Sequence, residues 1–458
     1  MTTTSPPTTA HPWRWRVLAV VLLAEIMDLL DSTVMTVAAP SVQAGLGGGA
    51  ATLQWLTAGY TLAFGVLLVV GGRLGDRWGR RRLFVLGAIG FTAASALCAL
   101  APSPEVLIAA RVAQGAFGAL MIPQGFGVLA SVFGEHERAK AFSLFGPVMG
   151  LAAIGGPIFA GGLIALDPGG LDWRLIFLVN LPIGALVIVG ALRWMPADRG
   201  NEAVRIDPVG AVLVAVGSAL LVHPLIQGRE AGWPWWTFAE LAAGVVAFLA
   251  LGRRQRTSPS PILVPSLLRK RSFVSGVVVA VSFFAGTGGL MLVLSLHLQL
   301  GLGYSALGTA MALSPMAVGI MLSSIAAPPL AGRLGRSVLH LGLGVEAVGV
   351  LGLAAVVAGD LPTWALLGPT LVVGLGLGLL FGTLIQSVLT AASPAELGSA
   401  SGALNAVQQL ATALGVAVLG TLFFATGLAA GLLAVTAMCL VSAALVVLLP
   451  QRQSGVTS

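Results

Sequence analysis

The residues best placed for chemistry in this chain are a few carboxylates and one arginine set in apolar surroundings. Glu25, Asp28 and Asp31 recur every three residues within residues 17–37. In a helix, that spacing puts them within about 120° of one face. Counted from Arg16 at about 1.5 Å per residue, Glu25 lies ~13 Å and Asp31 ~22 Å into a bilayer core about 30 Å thick. An ionised acid at such depth costs about 2.5–3.5 kcal/mol, so it must be paired, protonated or set against water. Arg111, six residues beyond Glu105, descends from the other side to ~9 Å, close to the level of Asp31. A carboxylate and a guanidinium at one depth can pair, and a proton binding near Asp31 would compete with that pairing. Glu346, ten residues or ~15 Å from Arg336, is a fourth acid near mid-depth that could face Glu25 across a cavity or stay protonated and bonded to a neighbouring helix. Such a set suits protons and organic cations. The alternative for each acid is an interhelical hydrogen bond, and for Asp31 with Arg111 a permanent structural salt bridge.

The elements that must carry these groups follow from composition. Of 458 residues, 57% are hydrophobic and only 9% charged, where a soluble domain has about 25% charged. Runs without Asp, Glu, Lys or Arg, such as 83–104, 112–134, 141–166 and 397–451, are each long enough to cross a bilayer. Breaking the apolar runs at charges, Pro/Gly clusters and Trp gives fourteen candidate helices, hence an all-α integral membrane protein. With both termini cytoplasmic, 21 of the 24 Lys and Arg residues fall on the cytoplasmic side, as short loops require. Arg174 and Arg229 fall outside, and Arg111 within a helix. The formal charge of +7 therefore reflects topology rather than nucleic-acid binding. The ten tryptophans fall at expected helix ends, where indoles settle among headgroups. Cys98 and Cys439 lie in apolar spans as buried thiols.

Enzyme chemistry finds little support. Neither lysine, Lys140 or Lys270, follows a glycine, so no phosphate-binding loop exists. Five scattered histidines lack metal spacing, and no nucleophile elbow occurs. No cofactor is expected, and either an ion gradient supplies the energy or transport is passive. Gln114, Asn180, Gln386, Asn405, Gln408 and Gln409 are polar residues in or near spans that could orient a ligand or bond neighbouring helices. Gly-Arg-Leu-Gly at 72–75 recurs at 332–335, between helices 2 and 3 and again between helices 10 and 11. The repeat implies two six-helix halves around a midplane cavity. The expected division is a tail over 1–12, a first bundle over 13–200, inserted helices 7 and 8 over 201–256, a second bundle over 257–450 and a tail over 451–458.

Several of these segments together resemble the major facilitator superfamily, in particular its fourteen-helix drug:proton antiporters of the actinobacterial multidrug and antibiotic exporter type. Gly72-Arg-Leu-Gly-Asp76-Arg77-Trp-Gly79-Arg80-Arg81-Arg82 is similar to the loop motif between helices 2 and 3. The resemblance implies a conformational latch made by Asp76, Arg77 and Arg80 with Gly72. In the second copy, Arg336 stands where Asp76 would be. Asp31-Ser32-Thr33 with Ala38-Ala39-Pro40 resembles the helix 1 motif, with Thr36 where the family usually has Asn. Arg111-Val-Ala-Gln114-Gly115 resembles the helix 4 motif, whose arginine is implicated in proton transfer. Gly150, Gly155, Gly156, Pro157, Gly161 and Gly162 resemble the antiporter motif of helix 5. Asp172-Trp173-Arg174 with Phe177, Asn180 and Pro182, and residues 398–420, are also similar to this group.

The resemblance implies the major facilitator fold, two six-helix bundles plus two inserted helices, in a plasma-membrane monomer. The expected activity is proton-coupled efflux of hydrophobic small molecules, cations included, by alternating access. Proton coupling is expected at Asp31, Arg111, Asp28, Glu25 and Glu346. Glu25, Asp28, Gln114, Asn180, Gln386, Asn405 and Gln408 are the candidate substrate contacts. The alternative is a proton-coupled importer or facilitator of a small metabolite.

Overall fold

The computed structural model describes residues 11–134, 137, 140–141, 144–359, 361–393 and 396–449. Among them are fourteen helices of 15 residues or more and no strand. They are α1 (Arg14–Leu46), α2 (Ala50–Trp78), α3 (Arg80–Ala99), α4 (Pro104–Val132), α5 (Phe145–Leu166), α6 (Asn180–Trp194), α7 (Pro208–Gln227), α8 (Trp235–Thr257), α9 (Arg271–Leu296), α10 (Ala306–Leu334), α11 (Ser337–Ala358), α12 (Leu367–Leu389), α13 (Leu397–Thr426) and α14 (Leu428–Val446). Twelve helical segments are long and apolar enough to cross a membrane. The two outside that count are α1, which carries Glu25, Asp28 and Asp31 in its middle, and α5, whose first turns include residues whose side-chain placement is not described. No charge marks the boundary between α13 and α14. There the chain breaks at Gly427, whose φ of +87° only glycine adopts without strain.

Helices α1 to α6 pack on one another, and α9 to α14 form a second group. The pair α7 and α8 packs together, with α7 lying against both α2 and α13. Interior glycines set the close approaches. A Cβ at Gly115 would sit 2.3 Å from the Tyr60 carbonyl, and one at Gly415 would press directly on the Ala285 carbonyl. Small residues of this kind let backbones meet where apolar side chains gain nothing by leaving lipid.

The two groups touch at one end and part at the other. At the touching end, Pro40 inside α1 has no N–H to give to the Thr36 carbonyl, and that carbonyl instead accepts from the Ser295 hydroxyl of α9. Gln299 donates to the Val37 carbonyl at 2.9 Å, and Thr421 of α13 reaches the inserted pair, donating to the Leu225 carbonyl of α7 at 2.5 Å. At Gly161 of α5 a Cβ would lie 2.7 Å from Cα of Leu307 in α10. At the other end, the arginine-rich one, a cavity of about 660 Å³ opens between the groups, lined by Arg73, Asp76, Gln124, Ile262, Gly402 and Asn405 among others.

One expectation about tryptophan fails. Trp173 is fully buried, because Gly45 of α1 leaves room for its indole; a Cβ there would stand 2.7 Å from Nε1. It is a packing residue, not a headgroup anchor.

Candidate functional site

Helix α1 carries Asp31 to the centre of the first bundle, where it is 1% exposed. Arg111 of α4, also 1% exposed, donates through Nη1 to Asp31 Oδ2. The other carboxylate oxygen accepts from Gln114 Nε2 at 2.7 Å and from Asn180 Nδ2 at 3.0 Å. The same two amides also donate to the Ser95 hydroxyl at 2.8 and 2.9 Å. Arg111 further donates to the Leu56 carbonyl at 3.2 Å and to Gln114 Oε1 at 2.7 Å. Its guanidinium lies 4.3 Å from the centre of the Tyr60 ring. Tyr60 in turn donates its hydroxyl to Asp28 Oδ1 at 2.5 Å.

A continuous polar chain therefore runs from Asp28 through Tyr60, Arg111 and Asp31 to Gln114, Asn180 and Ser95. Both charges are enclosed and fully ligated, so removing either would strand the other at a cost of about 3–5 kcal/mol. Protonating Asp31 removes the countercharge of Arg111 just as completely, and the arginine must then find other acceptors. This arrangement can convert one proton into a helix rearrangement.

The remaining expected residues fall into three groups. Glu25 lies two turns from Asp31, buried, with Oε1 unpartnered among the described residues. Gln114 and Asn180, expected near a ligand, are instead consumed as ligands of Asp31. Of the second-bundle amides, Asn405 lines the cavity. Gln408 is half-buried and Gln386 is exposed, and neither lines that cavity.

Glu346 is the clearest correction. It shares a face of α11 with Gly342 and Gly349, and these glycines press that face onto α12: a Cβ at Gly349 would sit 2.6 Å from the Val373 nitrogen. Its carboxyl is therefore sealed inside the second bundle, in hydrogen-bond reach of the Cys439 thiol of α14, and does not face Glu25.

At the arginine-rich end, Asp76 pairs with Arg80 at 2.8 Å, and Arg80 also donates to the Gly127 carbonyl of α4 at 2.7 Å. Arg77, grouped with them by the motif, makes no such bond among the described residues and lines a different hollow. Gly72 lines the cavity without a close neighbour. In the helix 5 motif, Gly156 meets Thr33 of α1 and Gly161 meets α10, while Gly155 and Gly162 meet nothing within 4 Å. Pro157 lies inside α5 without ending it. Gly150 belongs to α5 but lies outside the residues whose side-chain placement is described.

Three partners escaped the sequence reading. Tyr60 is one of only two tyrosines, and a lone phenol in an apolar span was an available signal. Ser95 carried none, being one small hydroxyl among many. Arg73 lies inside the motif and donates to the Pro261 and Ile262 carbonyls at 2.6 and 3.1 Å, tying α2 to the segment between α8 and α9.

Two helical groups that part around a cavity, with a fully ligated acid and arginine buried inside the first of them, are the architecture of a membrane transporter rather than an enzyme. Residues 21–416 match the Major Facilitator Superfamily, and this multi-pass membrane protein belongs to it. The probable actinorhodin transporter of Streptomyces coelicolor is 50% identical over 431 residues, covering 92% of this chain and 74% of that protein. The puromycin resistance protein pur8 of Streptomyces alboniger is 36% identical over 430 residues, covering 92% and 84%. A solved POT family transporter in complex with a thioalcohol-conjugated peptide has a TM-score of 0.72 at 15% identity, over 94% of this chain and 95% of that one, which shows the common fold.

Proposed function

We propose that this transporter is a proton-coupled exporter of hydrophobic small molecules of the antibiotic class, cationic ones included. The observation that carries the coupling is the buried pairing of Asp31 with Arg111, enclosed by Gln114, Asn180 and Tyr60. The names of the relatives, an actinorhodin transporter and a puromycin resistance protein, support the direction and the substrate class. Helices α1 and α5 complete a set of fourteen spans, with both termini and the arginine-rich end in the cytoplasm of a plasma-membrane monomer. Residues 13–200 and 257–450 are then the two moving halves, and 201–256 the inserted pair.

In this reading the molecule faces inward. A lipophile enters the cavity beside Gln124 and Asn405, and Asp76 with Arg80 holds the cytoplasmic latch. External protons reach Asp31 only after the contacts of Thr36, Val37 and Gly161 with the second bundle have parted.

The test is reconstitution in vesicles that are acidic inside. Adding a lipophilic dye or antibiotic outside an exchanger releases internal protons, whereas adding a substrate outside a symporter draws protons inward. Proton uptake with substrate would establish the importer reading instead.

A further inference from the structure

The arginine-rich end holds a second cavity, away from the one between the bundles. It encloses about 500 Å³ and is lined by Arg77, Trp78, Arg82, Leu86, Arg199 and Glu202, among others. Three arginines line it against one carboxylate. Among the described residues, none of these four charged side chains makes an ion pair or hydrogen bond.

The geometry around them is built, not incidental. Asp198 caps α3 from more than a hundred residues away, accepting from the backbone N–H of Arg80 at 2.7 Å and of Arg81 at 3.1 Å. Asn201 donates its backbone N–H to the Asp76 carbonyl at 2.8 Å. Held at both points, the segment after α6 places Arg199 beside the turn between α2 and α3. The motif's Arg77, absent from the latch, contributes here instead.

The apolar side of the cavity continues up the outside of α3. Arg82, Leu86, Ile89, Ala93 and Leu97 follow at intervals of three or four residues and are all exposed. They form one stripe about 22 Å long, comparable to an acyl chain. Trp78, 51% exposed, marks the headgroup level.

We propose that this cavity binds the phosphodiester headgroup of an anionic phospholipid, with Arg77, Arg82 and Arg199 on the phosphate and an acyl chain along Leu86, Ile89 and Leu97. A phosphate satisfies several guanidinium donors at once, and a lipid meets the charged cavity and the apolar stripe together. A free phosphate uses only the first. Because the site touches the turn that carries Asp76 and Arg80, its occupant bears on the latch side of the transporter. The inference does not depend on which substrate is moved.

Native mass spectrometry of the full-length protein tests it, with phosphatidylglycerol and phosphatidylcholine of identical chains as probes. Preferential retention of phosphatidylglycerol is expected. Replacing two arginines, Arg82→Gln with Arg199→Gln, should weaken that adduct roughly 25-fold, about fivefold for each charge near an anionic group. Glu202→Gln, which removes the opposing charge, should strengthen it. Unchanged thermal unfolding in detergent would separate lost binding from lost folding. Equal retention of the two lipids, an unaltered phosphatidylglycerol adduct in the double variant, or full displacement by millimolar glycerol phosphate would overturn the proposal.

Discussion

The two bundles each bury a carboxyl near mid-depth, yet they treat it in opposite ways. In the first, Asp31 is met by a guanidinium and two amides and is linked through Tyr60 to a second acid. In the second, Glu346 lies beside the Cys439 thiol, and among the described residues no cation is paired to it and its Oε2 is unpartnered. The loop repeat shows the same division. Asp76 pairs with Arg80 in the first copy, whereas in the second Arg336 donates to the Val447 and Leu449 carbonyls beyond α14. Arg336 there supplies the acceptors at a helix C-terminus with a cation. One copy of the repeat pairs an acid with an arginine, and the other fastens an arginine to the end of α14. A buried charge pair can be switched by one proton, while a single carboxyl beside a thiol has no opposite charge to release.

The largest effect that would break this comparison concerns Arg111. Arg111→Ala should destabilise the protein by about 3–5 kcal/mol, seen as a lower unfolding temperature in detergent. Asp31→Asn, which leaves Arg111 without its countercharge, should also lower the unfolding temperature and abolish substrate-triggered proton release; full retention of pH-driven transport would refute coupling at Asp31.

A smaller effect is expected at Tyr60, whose hydroxyl serves an acid. Tyr60→Phe should cost about 1.5–3 kcal/mol and weaken proton release without removing it. Unaltered stability and coupling would detach Asp28 from the chain of contacts.

In the second bundle, Glu346→Gln should change stability by no more than about 1 kcal/mol and leave coupling intact. Loss of proton release there, with Asp31→Asn still active, would reverse the assignment of the two halves.

The smallest effect lies outside the membrane, at Glu396. Hydrogen bonds from Lys270, then Ser266 and Ser393, hold its carboxyl down at about 2. A carboxyl lowered in the folded state stabilises above its ordinary value of 4.5, and that contribution fades as pH falls from there towards 2. Glu396→Gln should therefore flatten the dependence of unfolding temperature on pH across that window, and an unchanged slope would remove Glu396 from the staple between α9 and α13.

Much of the architecture was legible because the bilayer imposes a simple code. Apolar run length gave the helices, and residue counts along each gave depth, which is why Asp31 and Arg111 could be matched by level alone. Depth is one coordinate, however, and the direction a side chain takes around its helix depends on neighbours. Glu346 was placed at a workable depth but on a glycine-bearing face that turns into its own bundle. Gln386 has the composition of a ligand contact and the position of an exposed helix end. Gln114 and Asn180 were recognised as polar with two roles left open, since an amide chemically fit to hold a ligand is equally fit to bond a neighbouring helix, and here both bond the Asp31 carboxylate. Trp173 failed for a related reason: a neighbouring glycine made room that no hydropathy pattern records.

The sequence by itself determined that the chain lives in lipid, how its helices succeed one another and which charges must be enclosed, because the cost of bare charge and unpaired backbone in hydrocarbon leaves few solutions. Only the tertiary structure decided which enclosed charges meet. Pairing across helices depends on small residues, such as Gly115 beneath Tyr60 and Gly161 against α10, that set rotation and closeness to a fraction of an ångström. Those contacts join segments far apart along the chain, where local pattern carries no information about distance.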